Sequence, residues 1–152
     1  MEQAGPTLET PHASRGLALG DFDNDGDMDI VVINQNEPPS LLRNDLSGNN
    51  NWLKVKLVGK RSNRSAIGAK VVAKYGGKQQ AQAVTGQSSF LSCHDRRLHY
   101  GLGPNTTADL EIRWPNGQME TVRNVAAGQL VIIEEASGIV HAEKFGAAGG
   151  RG

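Results

Sequence analysis

Five aspartates alternate through the segment from residue 21 to residue 29, and they are the residues of this chain best suited to chemistry. Carboxylates this close together repel one another, so a folded chain keeps them there when a positive ion lies among them. The pattern Asp-x-Asp-x-Asp-Gly predicts an oxygen cage for a hard divalent cation, in the first place Ca²⁺. The candidate metal ligands are Asp21, Asp23, Asp25, Asp27 and Asp29.

The residues around this loop exclude an EF-hand. Position twelve, where an EF-hand carries a bidentate glutamate, is Val32. The flanking segments 16–20 and 29–34 are too short for helices, and the second is rich in β-branched residues, so the loop joins two strands. Asp29 is then the candidate for bidentate closure, and Asp27 contributes its backbone carbonyl. The alternative is a solvated acidic hairpin without an ion.

The strand–loop–strand pattern resembles the FG-GAP repeat, also called VCBS. The resemblance runs from residue 16 through the aspartate loop and residues 30–32 to residues 41–44. In that family each repeat is one blade of a β-propeller, and the loop binds Ca²⁺. The resemblance therefore implies a blade that is stabilised by calcium, with upstream propeller blades of a longer chain as its partners.

Composition and charge favour a loop-rich all-β protein. The chain has 152 residues, enough for a real core, with 19 glycines and few aromatic residues. The formal net charge is zero, and the basic residues are not interleaved with stacking aromatics, which excludes a nucleic-acid partner. Basic strand residues are predicted to form a solvated face; a docking surface for an acidic partner is the alternative. These residues are Lys54, Lys56, Lys70 and Lys74.

After a polar stretch at residues 44–51, alternating apolar residues predict a second set of strands. The alternation appears in residues 53–57, 67–75 and 110–114, and Gly76-Gly77 predicts a tight hairpin. Strands at this spacing, with glycine turns between them, predict an antiparallel β-sandwich or open barrel.

This second set resembles the ASPIC/UnbV domain. The resemblance implies architecture and an extracellular habit, and it brings no established catalytic residues. The residues that carry it are 51–57, 62–71, 86–89, 99–103 and 114–117.

The predicted fold is all-β: a single propeller-type calcium-binding hairpin or blade fragment plus the sandwich or open barrel. The predicted segments are an irregular 1–13, an FG-GAP/VCBS repeat over 14–45, an ASPIC/UnbV domain over 50–136 and a disordered tail over 137–152. One blade cannot bury both its faces alone, so it packs against the second module or joins further blades.

Localisation is predicted from what the chain lacks. No apolar run is long enough to span a bilayer, and the first residues are not a signal peptide. Together with the calcium loop this predicts a piece of a longer secreted protein, extracellular or periplasmic. With Cys93 as the single cysteine, no intrachain disulfide can form.

The run from Ser92 to Asp95 contains a nucleophile, a base and an acid, the residue types of a hydrolase. Side chains adjacent on a strand point to opposite faces, whereas catalytic triads assemble from separate segments. The run is therefore interpreted as a polar loop with a partly buried thiol, and the protein as non-enzymatic.

Two further groups could contact a ligand. Asn63 and Arg64 could donate hydrogen bonds to a sugar or a carboxylate. The favoured alternative is that Arg64 pairs with an acid or a carbonyl and fixes its own loop. Trp52 and Trp114 could stack on sugar rings, but their positions on alternating strands predict core. The favoured function is a calcium-stabilised extracellular module for adhesion or recognition of a protein or glycan. The alternative is a carbohydrate-binding module with structural calcium.

Overall fold

A computed structural model describes residues 11–45, 48–88 and 90–145. This part of the chain contains no helix and forms eleven strands in three sheets, which confirms the all-β class. It therefore also contains no helix with the length and apolar character needed to cross a bilayer. The strands are β1 (Ser14–Gly20), β2 (Asp29–Asn34), β3 (Ser40–Leu42), β4 (Asn51–Val58), β5 (Lys70–Tyr75), β6 (Lys78–Ala83), β7 (Leu98–Gly103), β8 (Thr107–Arg113), β9 (Met119–Ala126), β10 (Gln129–Glu134) and β11 (Gly138–Lys144).

The chain divides into two compact units, and the division does not follow the sequence in a simple way. The described residues up to 45, together with those between 86 and 95, form the first unit. Residues 48–85 and 96–145 belong to the second. Residues 86–95, which lie in the connection between β6 and β7, thus belong to the same unit as β1. The predicted segments 14–45 and 50–136 placed these residues in the second module instead.

The first unit is built on an antiparallel sheet in the order β1-β2-β3. Apolar residues pair across it, Leu17 with Val32 and Val31 with Leu41, as expected for β-branched and aliphatic residues on a pleated surface. Ile33 and Leu41 remain about half exposed. The sheet therefore keeps apolar side chains at its surface, as expected for a single blade.

The second unit contains two four-stranded sheets, in the orders β11-β10-β4-β7 and β6-β5-β8-β9. Alternate residues of β4, β5, β8 and β10 form its core, so the predicted period-two pattern is confirmed as the source of the core. The first of these sheets is mixed, because β10 runs parallel to β4. The predicted antiparallel arrangement holds for the other strand pairs of the two sheets; no hairpin joins β4 and β10, so none dictates their relative direction.

Two local predictions need correction. The segment predicted as a disordered tail contains β11, which pairs with β10 along its length; residues 146–152 of that tail lie outside the described residues. Lys54 is only 1% exposed and does not belong to a solvated face. Its Nζ lies 5.5 Å from the ring centres of Trp52 and Phe145, where the rings attract the cation. Lys56, Lys70 and Lys74 are exposed as predicted.

Candidate metal centre

Three carboxylates of the predicted loop converge at the point where β1 ends and β2 begins. Asp21 directly follows β1, Asp29 is the first residue of β2, and Asp23 lies in the loop between them. One carboxylate oxygen from each residue lies within 4.8 Å of the others. Asp21 and Asp29 are 1% and 2% exposed, whereas Asp23 is open to solvent. The group thus has a buried base and an open side.

Backbone donors from the loop and from Asn44, which follows β3, fix the two buried carboxylates. The N–H of Gly26 donates to Asp21 Oδ2 over 2.9 Å, and Asp29 accepts from Phe22 N at 3.0 Å and from Asn44 N at 2.9 Å. Gly26 has φ of 101°, a conformation that favours glycine. The loop therefore turns where the sequence predicts and points Asp21 and Asp29 inward.

Asp25 and Asp27 are not part of this converging group. Asp25 Oδ1 accepts from the N–H of Asp27 at 2.9 Å, a local turn. Burial raises the pKa of Asp25 and of Asp27, and the neighbouring carboxylates raise each pKa further. The structure thus brings together three of the five predicted ligands. Coordination by Asp25, or by the carbonyl of Asp27, stays a prediction.

Arg43 interacts electrostatically with two carboxylates of the loop. Its Nε lies 2.8 Å from Asp45 Oδ1, and its pKa is raised first by the hydrogen bond to Asp45 and to a lesser degree by Asp23 and Asp25. The guanidinium is therefore directed first to Asp45.

The donor set fits a hard divalent cation. Two oxygens bound to one Ca²⁺ at about 2.4 Å lie at most about 4.8 Å apart, and the three carboxylates meet that limit. All the converging ligand atoms are oxygens, which favours Ca²⁺ or Mg²⁺ over the metals that prefer nitrogen and sulfur. Calcium at this group stays a prediction.

The segment from Ser92 to Asp95 lies along the outer edge of β1. Ser92 Oγ accepts from Leu17 N at 3.2 Å and donates to Leu17 O at 2.9 Å. His94 Nδ1 accepts from Leu19 N at 3.2 Å, and Asp95 N donates to Leu19 O at 2.9 Å. Ser92 and His94 thus bond to the β1 backbone, and the thiol of Cys93 is half-buried. Their placement two residues apart, on one side of an extended segment, is the sequence signal that could have indicated this role.

The predicted ligand pair Asn63 and Arg64 lies in the connection between β4 and β5. The Asn63 amide is used locally, since its Nδ2 donates to Ile67 O at 2.8 Å and its Oδ1 accepts from Ile67 N at 2.9 Å. Arg64 is exposed, and its backbone oxygen accepts from Gly59 N at 3.2 Å. A ligand-binding role for the pair stays a prediction.

Sequence reasoning missed Glu135, a fully buried carboxylate that supports the same connection. It accepts from the backbone N–H groups of Lys60, Arg61 and Ser62, each at 2.8 Å. The Ser62 hydroxyl at 3.0 Å and the Asn116 amide at 2.5 Å also donate to it. Burial by itself raises the pKa of Glu135, but these donors outweigh that effect and lower the pKa to about 2. Glu135 therefore stays ionised and anchors residues 60–62.

The aromatic residues considered for sugar stacking do not form an exposed platform. Trp114 is 2% exposed and belongs to the core, as predicted, and Tyr100 is also buried. Trp52 is half-buried, and its ring stacks on Phe145 with centroids 6.2 Å apart.

Comparison with known proteins agrees with both resemblances. A family model described as ASPIC and UnbV matches residues 59–140, and the FG-GAP repeat model matches residues 14–51. The chain is 35% identical over 136 residues to Cartilage acidic protein 1 of Homo sapiens, a match that covers 86% of this chain and 20% of that protein. The proteins of the same name from Mus musculus and Xenopus tropicalis are each 33% identical, over 86% of this chain and 21% of their own length. The chain thus spans about a fifth of the curated relatives it matches.

Proposed function

Because this chain belongs to the ASPIC and UnbV family and carries an FG-GAP repeat ahead of that domain, we propose that it is a non-enzymatic extracellular module for adhesion or recognition, with a hairpin held by Ca²⁺. The observation that carries the proposal is the convergence of the Asp21, Asp23 and Asp29 carboxylates to within 4.8 Å.

In this proposal the ion has a structural role. Asp21 and Asp29 hold it from the buried side of the loop, and Asp23 holds it from the exposed side. A bound Ca²⁺ would supply two positive charges among carboxylates that otherwise repel one another. The loop between β1 and β2 then keeps one conformation, and the short sheet that it joins becomes more rigid.

The proposed partners are upstream propeller blades of a longer chain and an extracellular protein or glycan ligand. The proposal of upstream blades is supported by the half-exposed Ile33 and Leu41 on the first sheet, because a blade of this kind needs neighbours to cover its apolar faces. The proposed Ca²⁺ site fits a secreted location, since weak extracellular calcium sites fill at millimolar Ca²⁺.

The contacts around the segment from Ser92 to Asp95 support a role without catalysis. The Ser92 hydroxyl and the His94 ring are both bonded to the β1 backbone, so they are not arranged as a nucleophile and its base. Trp114 and Tyr100 are buried, so these two rings do not support the carbohydrate-binding alternative.

Isothermal titration of the whole chain with CaCl₂ tests the proposal. Wild-type protein is expected to bind one Ca²⁺, and Asp23→Ala is expected to abolish the binding because it removes one of the three converging oxygens. Asp25→Ala is expected to do the same if its side chain joins the site when the ion is bound.

The matched control is Glu143→Gln, which removes an exposed carboxylate from β11 in the second unit. This variant is expected to bind Ca²⁺ with the wild-type Kd. Unchanged affinity in Asp23→Ala would show that the ion, if bound at all, lies elsewhere.

A further inference from the structure

The outer edge of β1 is completed by side chains from a segment distant in sequence. Leu17 and Leu19 each direct one N–H and one C=O away from β2, and all four groups have partners between Ser92 and Asp95. The three-stranded sheet of the first unit is therefore extended at its β1 edge by a fourth, irregular segment, which comes from the connection between β6 and β7.

This edge depends on residue identity more than ordinary strand pairing does. Of the four hydrogen bonds, only the bond from Asp95 N to Leu19 O joins backbone to backbone. The other three need a hydroxyl at position 92 and a ring acceptor at position 94. A side chain without these atoms leaves a β1 amide or carbonyl without its partner, which costs free energy where water is excluded.

The same contacts continue to the end of β1, where the candidate metal centre begins. Leu19 is followed by Gly20 and then by Asp21, one of the two buried carboxylates of the converging group. A Cβ at Gly20 would lie 3.3 Å from the Cβ of Asp95, so the segment packs closely against the residue before Asp21. The position of the β1 backbone at this point decides where the Asp21 carboxylate lies.

We infer that Ser92 and His94 are positioning residues for the metal centre: they hold β1 in the place that brings Asp21 into reach of Asp23 and Asp29. The inference rests on the proposed calcium site. It also means that residues inside the ASPIC and UnbV match contribute to the FG-GAP site, so the FG-GAP stretch alone does not carry the whole site.

The test compares two substitutions of one residue in the whole chain, with Ca²⁺ titrated calorimetrically. His94→Leu removes the ring acceptor and is expected to raise the Kd about five-fold, which corresponds to about 1 kcal/mol. His94→Asn offers a side-chain oxygen at the place of Nδ1 and is expected to restore the Kd to within about two-fold of wild type. The amide proton shift of Leu19 in NMR spectra reports whether the hydrogen bond is present in each variant.

Leu91→Ala is the control, because Leu91 is in the same segment but is 83% exposed. It is expected to keep the wild-type Kd. Ser92→Ala is a second, smaller change with the same expected direction as His94→Leu, and it serves if the leucine variant does not fold.

The outcomes separate this inference from the proposed function. If wild-type protein binds no Ca²⁺, both are overturned. If wild-type protein binds Ca²⁺ and both Ser92→Ala and His94→Leu bind it equally well, only the positioning role is overturned. The positioning role is also overturned if His94→Asn and His94→Leu are equally impaired, because the loss would then not depend on the hydrogen bond.

Discussion

Two carboxylate sites in this molecule meet the cost of buried charge in opposite ways. Glu135 in the second unit is surrounded by donors, and its pKa is lowered to about 2. Asp25 and Asp27 in the first unit lie among other carboxylates, and the pKa of each is raised by burial and by that repulsion. Glu135 is thus paired with donors of the chain itself, whereas Asp25 and Asp27 have other carboxylates as neighbours.

The two sites differ in the groups that face their carboxylates. Three successive backbone N–H groups at residues 60–62 form a concave anion site, and the chain fills it with its own Glu135. The loop from Asp21 to Asp29 directs oxygens toward one point, and Arg43 is bonded first to Asp45. Closely spaced carboxylates favour a ligand that brings positive charge, and the proposed Ca²⁺ would do so.

Removal of calcium is expected to have the largest effect and would sharpen this comparison most directly. A free ion at 100 times its Kd stabilises the folded state by about 2.7 kcal/mol, and chelation by EGTA removes that contribution. Protease cleavage is expected to begin in the loop between β1 and β2, while the second unit stays resistant. Thermal melts and limited proteolysis in CaCl₂ and in EGTA measure both effects. Identical melting temperatures and cleavage patterns in the two buffers would contradict the distinction between the sites.

A substitution of Glu135 is expected to have the next largest effect on the stability of the folded chain. Glu135→Gln keeps the size of the side chain but removes its charge, and it places an NH₂ group opposite N–H groups that need an acceptor. The melting temperature is expected to fall by roughly 5–10 °C at pH 7, with the Ca²⁺ affinity unchanged. Differential scanning calorimetry measures the change, and Glu143→Gln, an exposed carboxylate, is the matched control. A variant that melts with the wild type would show that the buried charge does not anchor residues 60–62.

The smallest expected effect is a pH dependence that separates Glu135 from other groups. Its folded-state pKa of about 2 lies below the ordinary value of 4.5, so the ionised form stabilises the folded chain. That stability is fully present above about pH 4.5 and is lost as the pH falls toward 2. Denaturant melts in EGTA at several pH values are expected to show a steeper loss for wild type than for Glu135→Gln over this window. Parallel curves would assign the acid sensitivity to other carboxylates.

The loop chemistry and most strands could be predicted from local sequence. The spacing of the aspartates and Gly26 indicates a turn that gathers oxygens, and the alternation in residues 53–57 indicates the strand β4. Both signals are local, because a turn or a strand face is set by residues a few positions apart. The Gly76-Gly77 hairpin belongs to the same class, with φ of 50° and 73° and Tyr75 paired to Lys78.

Contacts that depend on a partner outside the local pattern carried no such signal. Strand β11 has an exposed, weakly patterned sequence and exists because β10 offers it an edge. Lys54 has the position of one more polar residue in an alternating strand, yet the rings of Trp52 and Phe145 lie beside its ammonium group. In each case one partner, β10 or Phe145, lies on another part of the chain, and the pattern of the segment itself does not indicate it.

The sequence by itself determined that the chain is all-β, that its first hairpin loop gathers carboxylates, and that its second part belongs with the ASPIC and UnbV family. Only the tertiary structure decided which carboxylates converge, where the donors for Glu135 come from, and that Ser92 and His94 complete the edge of β1. The physical reason is that periodicity and turn geometry depend on residues that are close together in the sequence. The pairing of a buried charge or an open strand edge depends on groups that meet only when the chain has folded.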